Sequence, residues 1–543
     1  MPNPAHLVIA PIVLPLMAAA LLLFFDDRER RLKSTISVLT TVALLVISVA
    51  LLRIAHADGA TGDGRVVVYL LGNWPPPFAI TLVLDRLSSM MLLLTAALAI
   101  PSLIFSLARW HKAGPHYHTL FLMLLMGLNG AFLTGDLFNL FVFFEVMLAA
   151  SYGLMLHGSG IQRVKAGLHY IAINLAAALL FLTGVAVIYG VTGTLNMADL
   201  ALRIPQVTEE NRLLLESGVA ILGVAFLIKS GMWPLSFWLP TTYTAAPAPV
   251  GAIFAIMTKV GVYVILRLSL LFFETTPYGT VGFGSQLLFL GGVATMIFGI
   301  IGVMASQALG RLAGFSVLVS SGTLLAAMGL LEVHVTAGAL FYLVSSTLAI
   351  SAFFLLIELV ERGQDAVANV LAVTMEAFGD EEDDVEDEIG VPIPGALAFL
   401  GISFALCGVL LAGLPPLPGF LSKFAMMTAV FNPAGLGEGG SASTLGWWLT
   451  AMLIIAGLAT LIAMSRAGIR AFWAPVEEHV PRVQVLELAP VAALLLMTVV
   501  LTFQAGPVMR FMEATAQSLH EPRAYIEGVM EAPRAGQETE EGQ

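Results

Sequence analysis

Runs of roughly 17 to 25 mainly apolar residues, long enough to cross a ~30 Å hydrocarbon core at 1.5 Å per helical residue, recur from one end of the chain to the other. They fall at about 6–25, 36–55, 82–107, 119–133, 137–156, 168–189, 213–230, 250–273, 287–305, 312–331, 337–359, 395–431, 448–465 and 486–511. The pattern predicts an all-α polytopic membrane protein with about fourteen transmembrane helices. One integral domain is expected over 1–512, and the polar, acidic stretch 513–543 is expected to be a loose C-terminal tail.

Two runs are interrupted where a plain spanning helix would continue. Lys229-Ser-Gly-Met-Trp-Pro234 breaks one, and Leu414-Pro-Pro-Leu-Pro-Gly419, just ahead of Lys423, breaks the other. Proline removes a backbone donor and clashes with the preceding turn, which a membrane segment tolerates only where protein or water satisfies the freed carbonyls. Interrupted helices in corresponding places of two halves predict two inverted five-helix repeats, about 119–273 and 287–465, with an ion path near the midplane. Hydropathy and the breaks carry this expectation, since no strong residue-level repeat stands out.

Loop charges orient the helices, because Lys and Arg are enriched on the cytoplasmic side. Arg28, Arg30, Arg31 and Lys33 follow the first run; Arg109 and Lys112 the third; Arg163 and Lys165 the fifth; Arg311 the ninth; Arg466, Arg470 and Arg482 the thirteenth. Odd-numbered helices then end inside, and both termini face the periplasm or exterior. Met1-Pro-Asn-Pro leads straight into the first run with no basic region or small-residue cleavage pattern, so that run is expected to be retained.

Composition narrows the function. Hydrophobic residues make up 58% of the chain and charged ones 11%, against about 25% charged in a soluble domain. The single cysteine, Cys407, can form no internal disulfide and builds no metal or iron–sulfur site by itself. The formal charge of −12 comes largely from acidic stretches at 380–388 and 527–541, and no basic stripe of the nucleic-acid-binding kind is present. There is no Walker-type phosphate loop, no His-Glu-x-x-His and no paired-Cys motif, so no cofactor is expected.

Four ionisable residues lie well inside apolar runs: Glu145, Lys229, Lys259 and Lys423. Each costs roughly 2.5–3.5 kcal/mol at a helix centre, on the order of 10 kcal/mol together, so they must face partners or water. Glu145, in Phe141-Val-Phe-Phe-Glu-Val-Met-Leu-Ala-Ala150, is too deep for a carboxylate to reach an interface, and its expected partner is a lysine from another helix, such as Lys229. Such a pair reads either as a static lock between helices or as a switch: a nearby carboxylate keeps the ammonium charged, and moving it away lets a proton leave. Lysine suits a relay because, unlike arginine, it deprotonates readily when buried.

Other polar groups have plainer readings. Asp136 and Asn139 look like helix caps. Arg267 has Glu274 two turns on and is expected to be structural. His334, beside Glu332, is a possible proton port or an ordinary interfacial histidine. Arg163, Lys165 and His169 read as anchors on the positive-inside face, and Trp233, Trp238, Trp447 and Trp448 as an interfacial aromatic belt.

Gly135-Asp-Leu-Phe-Asn-Leu-Phe-Val-Phe-Phe-Glu145-Val-Met-Leu and Lys229-Ser-Gly-Met-Trp-Pro-Leu-Ser-Phe-Trp-Leu-Pro240 resemble the antiporter-like subunits shared by Mrp complexes and respiratory complex I. The Gly-Asp-Leu-Phe-Asn form is similar to the D-type subunit of Mrp-type monovalent cation/proton antiporters rather than to the larger A-type one. The resemblance runs to about the fourteenth helix and leaves out the tail. It implies a hydrophilic axis across the midplane, with Glu145 and Lys229 as a coupling pair, Lys259 as central relay and Lys423 in the second broken helix. Thr258-Lys-Val-Gly-Val-Tyr263 and Leu417-Pro-Gly-Phe-Leu-Ser-Lys423 match the family around the last two. One departure matters: many relatives carry His-His or His-Asn followed by lysine in the eleventh helix, where this chain has Tyr342-Leu-Val-Ser-Ser-Thr-Leu-Ala-Ile350. Ser345, Ser346 and Ile350 cannot take up that charge, so a relay there must use water or His334, or be absent.

The resemblance implies a proton-translocating subunit of a Na+(K+)/H+ antiporter in the bacterial cytoplasmic membrane. It would be part of a secondary transporter rather than an enzyme, working with A-, B-, C-, E-, F- and G-type subunits. The alternatives are a proton-pumping membrane arm of a complex I-like oxidoreductase or membrane-bound hydrogenase, and a structural component with inert ion pairs. Hard cations want several oxygen ligands, and carboxylates inside the runs are few, which favours proton handling over cation handling in this chain.

Overall fold

The computed structural model describes residues 5–26, 28–57, 65–273, 284–378, 395–433, 441–472 and 483–534. The acidic stretch 380–388, Glu274, Arg482 and residues 1–4 lie outside these. The described chain is almost entirely α-helical: α1 (Ala10–Leu22), α2 (Arg30–His56), α3 (Arg86–Ala108), α4 (Tyr117–Leu133), α5 (Leu137–Met155), α6 (Ile161–Thr192), α7 (Glu209–Ser230), α8 (Ala248–Phe273), α9 (Ser285–Ala305), α10 (Leu309–Met328), α11 (Val333–Phe378), α12 (Gly395–Ala412), α13 (Pro418–Phe431), α14 (Thr444–Phe472) and α15 (Val485–Phe503). Two further helices follow: α16 (Ala505–His520), which begins inside the last apolar run and continues past 513, and α17 (Arg523–Met530), in what the sequence reads as tail. Among the described residues, 12 helices are long and apolar enough to span a membrane, and α1 and α4 are shorter apolar ones. Each of these helices falls on one of the apolar runs; the run at 395–431 also takes in α13, and the run at 486–511 the start of α16.

The helices form a buried centre and a sleeve. The whole apolar window of α8 is buried, as is 94% of that of α11 and 89% of that of α10, whereas α2 and α15 bury only 33%. That contrast places Lys259, on α8, at the heart of the molecule. One end is closed by an antiparallel hairpin, β1 (Val67–Leu70) with β2 (Thr81–Leu84), paired Val67 to Leu84. Asp136 caps α5 there, accepting from the Asn139 amide at 2.8 Å, while the Asn139 side chain donates to Thr134 Oγ1 at 2.9 Å. The opposite end gathers the basic residues of the alternate loops. Arg163 donates to the Ala245, His157 and Ser159 carbonyls at 2.9–3.0 Å, and Arg466 to Met304 and Ser306 at the end of α9, so these residues fasten helix ends as well as marking a face.

A residue-level echo of the two halves emerges from the packing. In α4 and α5, Gly127 and Gly130 let the backbone of one helix press against Met147 and Phe143 of the other; in α9 and α10, Gly299 and Gly302 do the same against Val319 and Phe315. All four positions recur at the same offset of 172 residues (127 and 299, 130 and 302, 143 and 315, 147 and 319). Spread over glycines and unlike apolar residues, this match leaves little trace in the plain sequence.

Two sequence expectations are corrected and a third gains its partner. The stretch from 513 is not loose as far as Arg534: α16 lies along α11, and α17 packs on β1 and the short helix Met197–Arg203. Arg267, expected to be structural, is held by Asp85, the N-cap of α3, through a two-pronged ion pair whose second arm measures 2.9 Å. Trp238 is 4% exposed, its ring 5.5 Å from that of Tyr170, and so belongs to the core rather than to an interfacial belt. The tail and the ion pair are linked, because the Tyr525 ring of α17 covers the Arg267 guanidinium at 5.0 Å.

Uncovering that ion pair and emptying the Tyr525 site should weaken the fold by on the order of 3 kcal/mol. Thermal unfolding of the detergent-solubilised protein is expected to show Tyr525→Ala melting well below wild type, with the exposed Glu531→Ala unchanged.

Candidate functional site

Both expected helix breaks are present, and each ends on a glycine in the left-handed region, where a side chain would be strained: Gly231 at φ 73° after α7 and Gly413 at φ 75° after α12. The chain resumes after the second break at Pro418, the first residue of α13, where a missing N–H costs nothing. A helix that stops within the membrane leaves carbonyls unpaired and a partial negative charge, which favours a cation. Both breaks put a lysine there. Lys229 lies in the last turn of α7. Lys423, reaching back from α13, donates to the final carbonyls of α12, Ala412 at 2.9 Å and Leu411 at 3.4 Å. An added Cβ at Gly413 would lie 2.9 Å from the Lys423 nitrogen, so this glycine also makes room for the ammonium.

All three lysines are buried, with exposures of 7% for Lys229, 0% for Lys259 and 5% for Lys423. Their partners are neutral oxygens. Lys229 donates to the Asn174 side-chain carbonyl at 2.9 Å and Lys259 to the Ser320 hydroxyl at 2.7 Å. Among the described residues none of the three is in an ion pair within 4.0 Å, so each can bind or release a proton without breaking a salt bridge.

This revises the Glu145–Lys229 expectation. The carboxylate is not within 4.0 Å of the ammonium; the Phe144 ring lies 5.8 Å from the ammonium, and Asn174 of α6 takes the hydrogen bond. Glu145 is half-buried, near the exposed Val142 and Ala149, on a face of α5 that this chain's own helices leave open. His334 is exposed at the start of α11, and no hydrogen bond among the described residues joins it to the lysines. Nearby Thr336 instead pairs with His520 of α16 at 3.1 Å. Asn174, Ser320 and Ser422 were not singled out in the sequence, although Asn174, within the apolar run at 168–189, is the kind of polar residue that marks such a site.

A cavity of about 670 Å³ opens at the basic end, lined by Arg109, Lys112, Arg163, Tyr243, Glu358 and Arg362 among others. Glu358 accepts from Trp110 Nε1 at 2.8 Å and pairs with Arg362 at 3.3 Å, which also pairs with Glu487 at 2.8 Å. Charges of both signs form its wall, Glu358 and Arg362 paired with one another.

The family described as NADH:quinone oxidoreductase/Mrp antiporter, TM, matches residues 134–436, more than half of the chain. The chain is 59% identical over 98% of its length, and 98% of the relative's, to the D-type subunit of a probable K(+)/H(+) antiporter of Rhizobium meliloti. It belongs to the family of D-type antiporter subunits. The D-type subunit of a Na(+)/H(+) antiporter of Alkalihalophilus pseudofirmus is 34% identical, with 97% of this chain and 99% of that one covered. The fold agrees with a chain of the Mrp complex from Dietzia sp. at a TM-score of 0.79 and 25% identity, covering 98% of this chain and 100% of that one. A chain of respiratory complex I from Thermus thermophilus shares the fold at a TM-score of 0.72 and 20% identity, with 95% and 99% covered. The Rhizobium match omits only about 2% of this chain, less than the stretch from 513, so the likeness to that relative runs on into α16 and α17.

Replacing Asn174 by leucine removes the acceptor of a buried ammonium, which should cost about 1–3 kcal/mol. Adding Lys229→Met is expected to recover most of that loss, and a double-mutant cycle on thermal unfolding of the solubilised protein measures the coupling.

Proposed function

We propose that the chain is the proton-conducting D-type subunit of a multi-subunit Na+(K+)/H+ antiporter, passing protons along Glu145, Lys229, Lys259 and Lys423 in step with cation efflux. It is part of a secondary transporter of the bacterial cytoplasmic membrane, with the basic face in the cytoplasm and both termini outside. The observation that carries this reading is the arrangement of three buried lysines on neutral oxygens, two of them at the ends of broken helices. An inert set of charges would favour carboxylate partners, since an unpaired buried charge is costly.

The spacing between Glu145 and Lys229 supports a switch rather than a lock. With the carboxylate out of contact and an amide holding the ammonium, the arrangement corresponds to the separated state of the pair, in which Lys229 is free to give up its proton. The open face around Glu145 supports a contact with a neighbouring chain: a carboxylate near mid-helix costs roughly 2.5–3.5 kcal/mol against hydrocarbon, so an A-, B-, C-, E-, F- or G-type subunit covers it in the assembled complex. The cavity at the basic end serves as the cytoplasmic mouth. His334 marks a port on the opposite face, about 18 Å along α11 from Ser346 at 1.5 Å per residue, a distance that water must bridge.

Everted vesicles carrying the whole complex, read by cation-dependent dequenching of a pH-sensitive dye, test this. Glu145→Ala and Lys229→Ala are expected to abolish exchange at unchanged assembly. Retained exchange would make both residues structural, and a wild type without any cation-dependent signal would favour the oxidoreductase arm. Gly413→Ala is expected to abolish exchange as well: the strain of a left-handed side chain is only about 1–2 kcal/mol, but the new methyl displaces the Lys423 ammonium.

A further inference from the structure

The relay proposed above has a gap in α11, where Tyr342-Leu-Val-Ser-Ser-Thr-Leu-Ala-Ile350 offers neither histidine nor lysine between Lys259 and Lys423. Hydroxyl groups fill that place. Ser320 of α10 accepts from the Lys259 ammonium at 2.7 Å, and its oxygen is 2.9 Å from that of Ser346 of α11. Ser320 is 1% exposed and Ser346 8%. Ser346 then opens on a cavity of about 20 Å³, whose wall also includes Ser316, Tyr342, Ser345, Leu411 and Gly419. A buried water needs about 10–15 Å³ of such space and two to four polar partners, so the cavity has room for one and the hydroxyls to hold it.

The far side of this cavity meets the surroundings of Lys423. Leu411, part of the wall, is one of the residues whose carbonyl accepts from the Lys423 ammonium. Ser345 lies 3.4 Å, oxygen to oxygen, from Ser422, the residue before Lys423. A hydroxyl is one donor and two acceptors and can rotate, so it can take a proton on one lone pair while releasing its own on the other side.

We propose that Ser320, Ser346 and one water in this cavity carry protons between Lys259 and Lys423, in place of a titratable side chain in α11. The proposal rests on the lysine relay being the proton route. A proton leaves the Lys259 ammonium for the Ser320 oxygen as the Ser320 proton passes to Ser346, that of Ser346 to the water, and one from the water toward the neutral Lys423 amine. Each oxygen gains one proton and loses one. Only the two lysines change charge, and the reverse direction runs through the same atoms.

The test compares Ser346→Thr with Ser346→Val in the whole complex in everted vesicles, two side chains of one shape that differ in the hydroxyl. Assembly is followed by co-purification, with Lys259→Ala and Lys423→Ala measured alongside. Threonine is expected to exchange like wild type and valine about a hundredfold more slowly, the low end of what a positioned proton carrier contributes. Valine as fast as threonine, or threonine as slow as valine in an assembled complex, overturns the hydroxyl link while the relay stands if the lysine variants are dead. Exchange surviving in the lysine variants sinks the relay itself. Should the bulkier residues prevent assembly, Ser320→Ala decides: it adds no volume, is expected to slow exchange, and an unchanged rate refutes the link.

Discussion

Hydrocarbon offers no hydrogen bonds, and that single constraint orders the structure. Every polar atom within the membrane must find its partner in protein or in water the protein holds. The two broken helices meet it in an economical way. Stopping α7 and α12 inside the membrane exposes carbonyls that need donors, and a lysine at each stop needs acceptors. At α12 one requirement satisfies the other, Lys423 donating to the freed carbonyls, while at α7 the Asn174 side chain takes the Lys229 hydrogen bond; among the described residues neither lysine is in a carboxylate ion pair that would lock its charge.

The rest of the architecture protects this arrangement. α8, buried throughout its apolar window, keeps Lys259 from lipid on every side, and its far end is fixed by Arg267 gripping Asp85 beneath Tyr525. The C-terminal helices are thus part of the frame around the central helix. Close glycine packing in α4–α5 recurs in α9–α10 at the same offset of 172 residues.

Sequence made the helices, the breaks and the four charges legible because each rests on a local cost: a charge or a proline in an apolar run is conspicuous. Partners were less legible, since they depend on which helices meet. Glu145 and Lys229 attract one another on paper, yet Asn174, some thirty positions along the chain from Glu145, holds the ammonium in the fold. Arg267 is held by Asp85, a helix cap from a distant run that no local pattern links to it. The acidity of the last residues suggested a solvated tail, but α16 and α17 bury Tyr525 and His520 on one face and leave their charges on the other, a pattern that bulk composition averages away.

The serines of α11 show most clearly how a departure from a family pattern can be misread. Judged as replacements for a basic residue they are a loss, because a hydroxyl cannot store a proton at physiological pH. Judged by position they form a continuous line of oxygens from Lys259 to a water-sized cavity beside the Lys423 carbonyl partner. A titratable residue in the middle of a relay adds a resting place for charge, with its own desolvation cost; a hydroxyl adds a step without one. Where both lysines already sit on neutral oxygens, the connection between them needs only groups that hand a proton on, and serine meets that need at a smaller burial cost than histidine or lysine would.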